Sequence, residues 1–196
     1  MKKVIFGLIV TIMFSNFSFA QNIKEIGNDK EFQTYIMQSI NLNKNLNKEF
    51  LTKTFNDKQI NENEVEYIYK VFNLKSQEEY KAILLNQDKL LTSLKNKYSF
   101  EKYTNEELTD YLSNGISVIL SKVDGSTGIT PGGNNCRRKY RNDVATIGAS
   151  AVIGHIGCAT LDITVFAGIA CHSAVVVIQA AAMDNANIEL EECLKG

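Results

Sequence analysis

Between Asn61 and Ile119 the apolar residues recur every three or four positions, and each recurrence follows a residue suited to begin a helix. Asn61 stands three before Glu64, with Val65, Ile68, Tyr69 and Phe72 on one face. Ser76 stands three before Glu79, followed by Tyr80, Ile83, Leu84, Leu91 and Leu94. Thr104 stands three before Glu107, followed by Leu108, Tyr111, Leu112 and Ile119. A hydroxyl three residues ahead of a Glu takes one orphan amide hydrogen while the carboxylate takes another, so these spacings predict capped amphipathic helices. The pattern extends upstream and predicts one or two more helices, around 31–40 and 46–55. Neither a period-two alternation nor an internal repeat interrupts it, and residues 21–122 are expected to form a helical bundle.

After residue 122 the pattern changes. Residues 123–135 hold the only proline and four of the twelve glycines, a composition that breaks helix and strand alike and predicts a linker. It lacks the Lys-Ser/Thr pair that would complete a phosphate-binding loop. Beyond it, from Val144 through Met183, Asp162 is the only charged residue. A helix that is apolar on every side is buried in a large core or in lipid.

The four cysteines organise this second half. Cys136 and Cys158 are 22 residues apart, as are Cys171 and Cys193. Twenty-two residues at about 100° each return to within roughly 40° of the start, so each pair lies on one face of a helix about 33 Å long. Two such helices folded antiparallel bring Cys136 against Cys193 and Cys158 against Cys171. Pairing within a helix would have to span its length, and pairing Cys136 with Cys171 would need a parallel arrangement. Residues 136–196 are therefore expected to be a helical hairpin with two disulfides, 136–193 and 158–171. The same register sets Gly154 against Val175, Ala151 against Ile178 and Ile147 against Ala182, a small residue facing a large one each time. It also sets Arg137 opposite Glu192 and Arg138 opposite Glu191. Gly148, Ala149, Ala151, Gly154, Gly157, Ala174 and Ala182 are expected to allow the close helix approach that disulfides require.

Disulfides need an oxidising compartment, and the N-terminus supplies a route to one. Lys2 and Lys3 precede an apolar run from Val4 to Phe14, and Ser18-Phe19-Ala20 ends it with small residues at the −3 and −1 positions. Residues 1–20 are read as a secretory signal peptide cut before Gln21, giving a secreted or periplasmic protein. Removing Lys2 and Lys3 from 21 basic residues leaves 19 against 22 acidic ones, a formal charge of −3. That balance gives no reason to expect nucleic-acid binding.

Little catalytic chemistry is legible. The chain has none of the spacings of a nucleophile elbow, a zinc-protease helix, a Cys-x-x-Cys pair or a calcium loop. His155 shares a helix face with Cys158, and His172 follows Cys171. These four would make a Cys2His2 zinc set only with reduced thiols, and adjacent residues point about 100° apart on a helix. The expectation is therefore no metal, no cofactor and no enzyme activity. Asp162 is read as a helix cap between the two arms of the hairpin.

The layout of a signal, a hydrophilic helical region, the junction Gly132 and Gly133 and a small cysteine-stapled apolar segment resembles in outline the precursors of bacteriocin-type antimicrobial peptides. The resemblance implies a cut after Gly133 and a membrane-active hairpin. The chain departs from it in two ways: double-glycine leaders normally replace a secretory signal, and residues 136–196 carry five basic and six acidic residues, so they are not cationic. The leading expectation is an exported, all-α, non-enzymatic interaction or structural protein with a protein partner or a membrane surface as its target. A membrane-active toxin precursor is the alternative.

Overall fold

The structure, a computed structural model, describes residues 22–47, 49, 67–123, 133–158, 161 and 166–195. Helix α1 (Lys30–Lys44) starts where Asp29 leaves the short 3-10 turn Ile23–Asn28, and the Asp29 carboxylate accepts from the amides of Glu31 and Phe32. Its buried face carries Phe32, Tyr35, Ile36, Ser39 and Leu42, at the three- and four-residue steps of one helix stripe. Helix α2 (Gln77–Tyr98) begins with the expected Ser76 cap. The Ser76 hydroxyl accepts from the Glu79 amide, while the Glu79 carboxylate reaches back to the Lys75 amide. Helix α3 (Asn105–Val123) has the full reciprocal box, Thr104 Oγ1 accepting from the Glu107 amide and Glu107 Oε2 accepting from the Thr104 amide.

Two stops are less conventional. Asn73 and Ser99 end their elements with φ of 52° and 51°, left-handed conformations that glycine usually supplies. The Asn73 side chain repays part of that cost by donating to the Asn45 carbonyl at 2.8 Å. Asn73 closes a 3-10 turn, Ile68–Phe72, where the sequence pattern predicted a helix from Asn61 onward. Residues 61–66, most of the predicted helix at 46–55, the signal segment, Asp162 and Gly132 lie outside the described residues.

Helix α4 (Gly133–Cys158) and helix α5 (Phe166–Lys195) form the antiparallel hairpin. The disulfides are those expected: Cys136–Cys193 with Cα atoms 5.8 Å apart, and Cys158–Cys171 at 5.7 Å. Helix α3 runs through Val123 and α4 begins at Gly133, so the break between the halves is shorter than the linker read over 123–135. All regular structure among the described residues is helical, as the sequence pattern implies.

The hairpin is packed into the bundle. One core joins Ile26, Phe32, Leu94, Leu112 and Ile116 to Ala145, Ala149 and Val152 of α4. A second joins Phe72, Tyr80 and Leu84 to Ile169, Val176 and Val177 of α5. Each arm of the hairpin thus completes a different core, and both cores draw on α1 and on α2. The tightest crossing is Gly27 against Gly115, where a Cβ on Gly27 would sit 2.7 Å from the Gly115 carbonyl oxygen. Only two residues without side chains allow the N-terminal 3-10 turn to lie that close to α3.

Candidate functional site

The seam between α4 and α5 follows the predicted register. A Cβ on Gly154 would meet the Val175 methyl groups at 3.0 and 3.1 Å, so Gly154 is the notch into which Val175 fits. Ala151, Ile178, Ile147 and Ala182 line one groove along the outward side of this seam. Other small residues serve a different neighbour from the one expected. Gly148 faces Ile116 of α3, with a notional Cβ 2.9 Å from its Cδ1, and Ala149 is buried in the first core. Gly157 faces open space.

The charged end of the hairpin also differs from expectation. Arg137 does not pair with Glu192, nor Arg138 with Glu191; the cross-helix ion pair is Lys139 with Glu189, accompanied by Tyr140 Oη donating to Asn187 Oδ1 at 2.7 Å. Helix geometry explains the change. With Cys136 fixed at the seam, positions 137 and 138 rotate about 100° and 200° away, while 139 and 140 come back to it. Glu189, four before Cys193, returns on the other helix in the same way. Lys139 and Glu189 are both more than half exposed, so solvent screens the pair and it adds little to stability.

At the other end, beside Cys158–Cys171, the two histidines are brought together. His155 and His172 are 3% and 2% exposed, their rings stack at 5.0 Å with 17° between planes, and their Nδ1 atoms are 2.7 Å apart. One Nδ1 must therefore carry a hydrogen and donate while the other accepts. Tyr35 of α1 meets His155 edge-on at 6.5 Å. Tyr80 of α2 shares a hydrogen bond with Ser173 at 3.1 Å, directly after His172. Gln87 of α2 donates to Ser39 of α1 at 3.2 Å. His172 Nε2, Gln87 Oε1 and Asp88 Oδ1 are among the buried side-chain polar atoms of the described residues that have no hydrogen-bond partner.

Burial drives the His155 pKa down to about 3, and repulsion from His172 adds to it. His172 is also lowered by burial, with the Asp88 carboxylate pulling in the opposite direction. Both rings are thus held neutral, which is the state in which one Nδ1 can donate to the other.

Each disulfide sulfur is bonded to its partner cysteine, so Cys158 and Cys171 are not thiolate ligands here. Among the described residues no group of three or more His, Cys, Asp or Glu is placed to hold a metal ion. Gly133 stands at the first position of α4, with Gly132 outside the described residues.

Sequence reasoning set both histidines beside the inner disulfide but did not read their direct contact, although the register contained it. The sum that pairs 158 with 171 sets 155 opposite 174, two positions from His172 and within reach of an imidazole. It also passed over a polar cluster at the start of α1, where Asp29 accepts from Lys97 and from Tyr98 Oη at 2.9 Å. That cluster is built across a separation of almost seventy residues, which no local pattern encodes.

No family model matches the chain, and no curated protein or solved structure does either. The two disulfides point to an oxidising, exported environment. By length and composition, the segment Gly168–Lys195 is long and apolar enough to cross a membrane, with 44% of its most apolar window buried in the fold.

Proposed function

We propose that this is an exported, non-enzymatic interaction module in which the bundle holds a stapled hairpin rigid and presents its outer seam to an exported protein partner. The observation that carries this reading is the groove of about 350 Å³ along that seam, lined by Thr146, Ile147, Ala151, Val175, Ile178 and Ala182, with Ile178 58% exposed. Its floor lies between the two disulfides, so the helices that form it are fixed before any partner arrives. Preorganisation of this kind removes the ordering cost that weakens binding to mobile surfaces. The groove carries no formal charge, and Thr146, Ser150 and Gln179 add polar groups to its lining. A protein offering one or two apolar side chains and a polar rim matches that arrangement. Export is assigned to residues 1–20 acting as a cleaved signal.

A photo-crosslinking residue at position 178, expressed in the native host, tests the reading. One defined protein adduct is expected from position 178 and none from position 85, an exposed leucine on α2 that serves as control. Ile147→Asp should abolish the adduct. Adducts to lipid alone, or equal labelling from both positions, would contradict it.

A second reading, a membrane-active bacteriocin-like precursor, is favoured by the membrane-length apolar segment in α5. It requires the hairpin to leave the two cores that it completes. Permeabilisation of anionic vesicles by the purified chain at neutral pH would support it, and intact vesicles at all compositions would count against it.

A further inference from the structure

The histidine pair lies where four helices meet. His155 is on α4 and His172 on α5, Tyr35 comes from α1, and Asp88 and Tyr80 come from α2. Among the described residues, Tyr35, Tyr80 and Asp88 are the titratable groups that the neighbouring helices present to the pair. The bond between the rings joins the two arms of the hairpin, and the corner meets the bundle through the Tyr35 edge on His155 and the Tyr80–Ser173 hydrogen bond. The Nδ1–Nδ1 bond has one hydrogen, and its geometry at 2.7 Å leaves no room for a second between the rings. A first added proton places a charge among Tyr35, Tyr80 and Ser173, where Asp88 is the anion that faces it among the described residues. A second sets two N–H groups and two positive charges against each other.

We propose that His155 and His172, buried where the stapled hairpin packs on the bundle, form an acid-sensitive switch: a charge on the pair must be hydrated, and because the seam between the arms is clamped by disulfides, water reaches it by parting the hairpin from the bundle. What parts in this step is the packing of α4 on α3 and of α5 on α1 and α2. The α4–α5 seam stays closed because Cys136–Cys193 and Cys158–Cys171 clamp it at both ends. The faces so uncovered are apolar: Ala145, Ala149 and Val152 on α4, and Ile169, Val176 and Val177 on α5. The switch does not depend on what the outer groove binds.

The test is an acid titration of the full oxidised chain from about pH 7.5 to about pH 4, reading near-ultraviolet circular dichroism of the buried tyrosines, far-ultraviolet helicity and binding of an apolar dye. The expected result is loss of the tyrosine signal and gain of dye binding while helicity is retained. The double variant His155→Gln with His172→Gln should move that midpoint down by about one pH unit or more. Asp88→Asn, which removes the anion facing His172, should move it up. An unchanged midpoint in the double variant overturns the proposal. If the double variant does not fold, imidazole resonances of the unmodified chain decide the matter. Protonation that coincides with loss of the tyrosine signal supports the switch. Titration near the ordinary histidine value with the tyrosine signal intact overturns it.

Discussion

Asp29 receives four hydrogens at once, from the amides of Glu31 and Phe32, from Lys97 Nζ and from Tyr98 Oη, and its side chain is 3% exposed. Burial alone would raise its pKa; the hydrogen bonds from Lys97, the Phe32 amide, Tyr98 and the Glu31 amide outweigh it and hold the carboxyl below its ordinary value. A carboxylate depressed in the folded state contributes stability above its unfolded pKa, and that contribution is lost as pH falls through the folded value. Asp29→Ala removes a helix cap and strands a partly buried ammonium, so urea unfolding at neutral pH should show a loss on the order of 3 kcal/mol. The histidines act on the same limb of the pH curve for a different reason. Their folded pKa values lie below the ordinary 6.5, so the unfolded chain takes up protons first. Stability is full above about pH 7 and falls as pH drops toward 3, by about 1.4 kcal/mol per unit for each ring that stays neutral. Gly115 poses a steric problem rather than an electrostatic one. Alanine there would gain about 1 kcal/mol of helix propensity, yet its Cβ would stand 2.8 Å from Ile26 Cγ2 and 3.1 Å from the Gly27 amide nitrogen. Because part of that obstacle is backbone, Gly115→Ala should be net destabilising by about 1–3 kcal/mol in the same unfolding experiment.

At the scale of elements, the features written in local sequence were legible and those written across the chain were not. The Ser76 and Thr104 caps are encoded within four residues, and both form. The hairpin was legible because cysteine spacing carries helix periodicity, and its register correctly placed Gly154 on Val175. The same register misplaced the ion pairs, since matching positions by number ignores which way a side chain projects; Lys139, one turn from Cys136, pairs with Glu189 instead. Over the described end of the helix read from Asn61, the chain forms a 3-10 turn, Ile68–Phe72, which the left-handed Asn73, anchored on Asn45, stops. The hairpin makes its own prediction. The outer disulfide closes a loop of 57 residues and the inner one 13, which in the chain-entropy account contribute about 4 and about 3 kcal/mol. The inner cysteines lie deeper, Cys158 being buried and Cys193 exposed, so the replacement of each pair by alanine should cost similar amounts despite the unequal loops. Denaturation of the two double variants against the parent checks this. A near-zero effect of removing the inner pair would show that the core holds that end of the hairpin unaided.

For the whole molecule, the change of composition at residue 123 suggested two units, and the packing joins them. A helix pair with almost no charge over forty residues reads as lipid-facing or deeply buried, and the two cores show how it is covered: α4 by the first, α5 by the second. Composition reports how apolar a segment is; which neighbour covers it depends on contacts between residues far apart in sequence. The outer seam, left uncovered by the bundle, is the surface on which the interaction reading rests. All of this presumes that the chain exists outside the reducing compartment as one stapled body. The most direct test is the intact mass of the protein recovered from the exported fraction, followed by peptide mapping without reduction. The account predicts a single chain beginning at Gln21, lighter by four hydrogens than its reduced form, with Cys136 linked to Cys193 and Cys158 to Cys171. A short species beginning near Asn134, or free or otherwise paired cysteines, would contradict it.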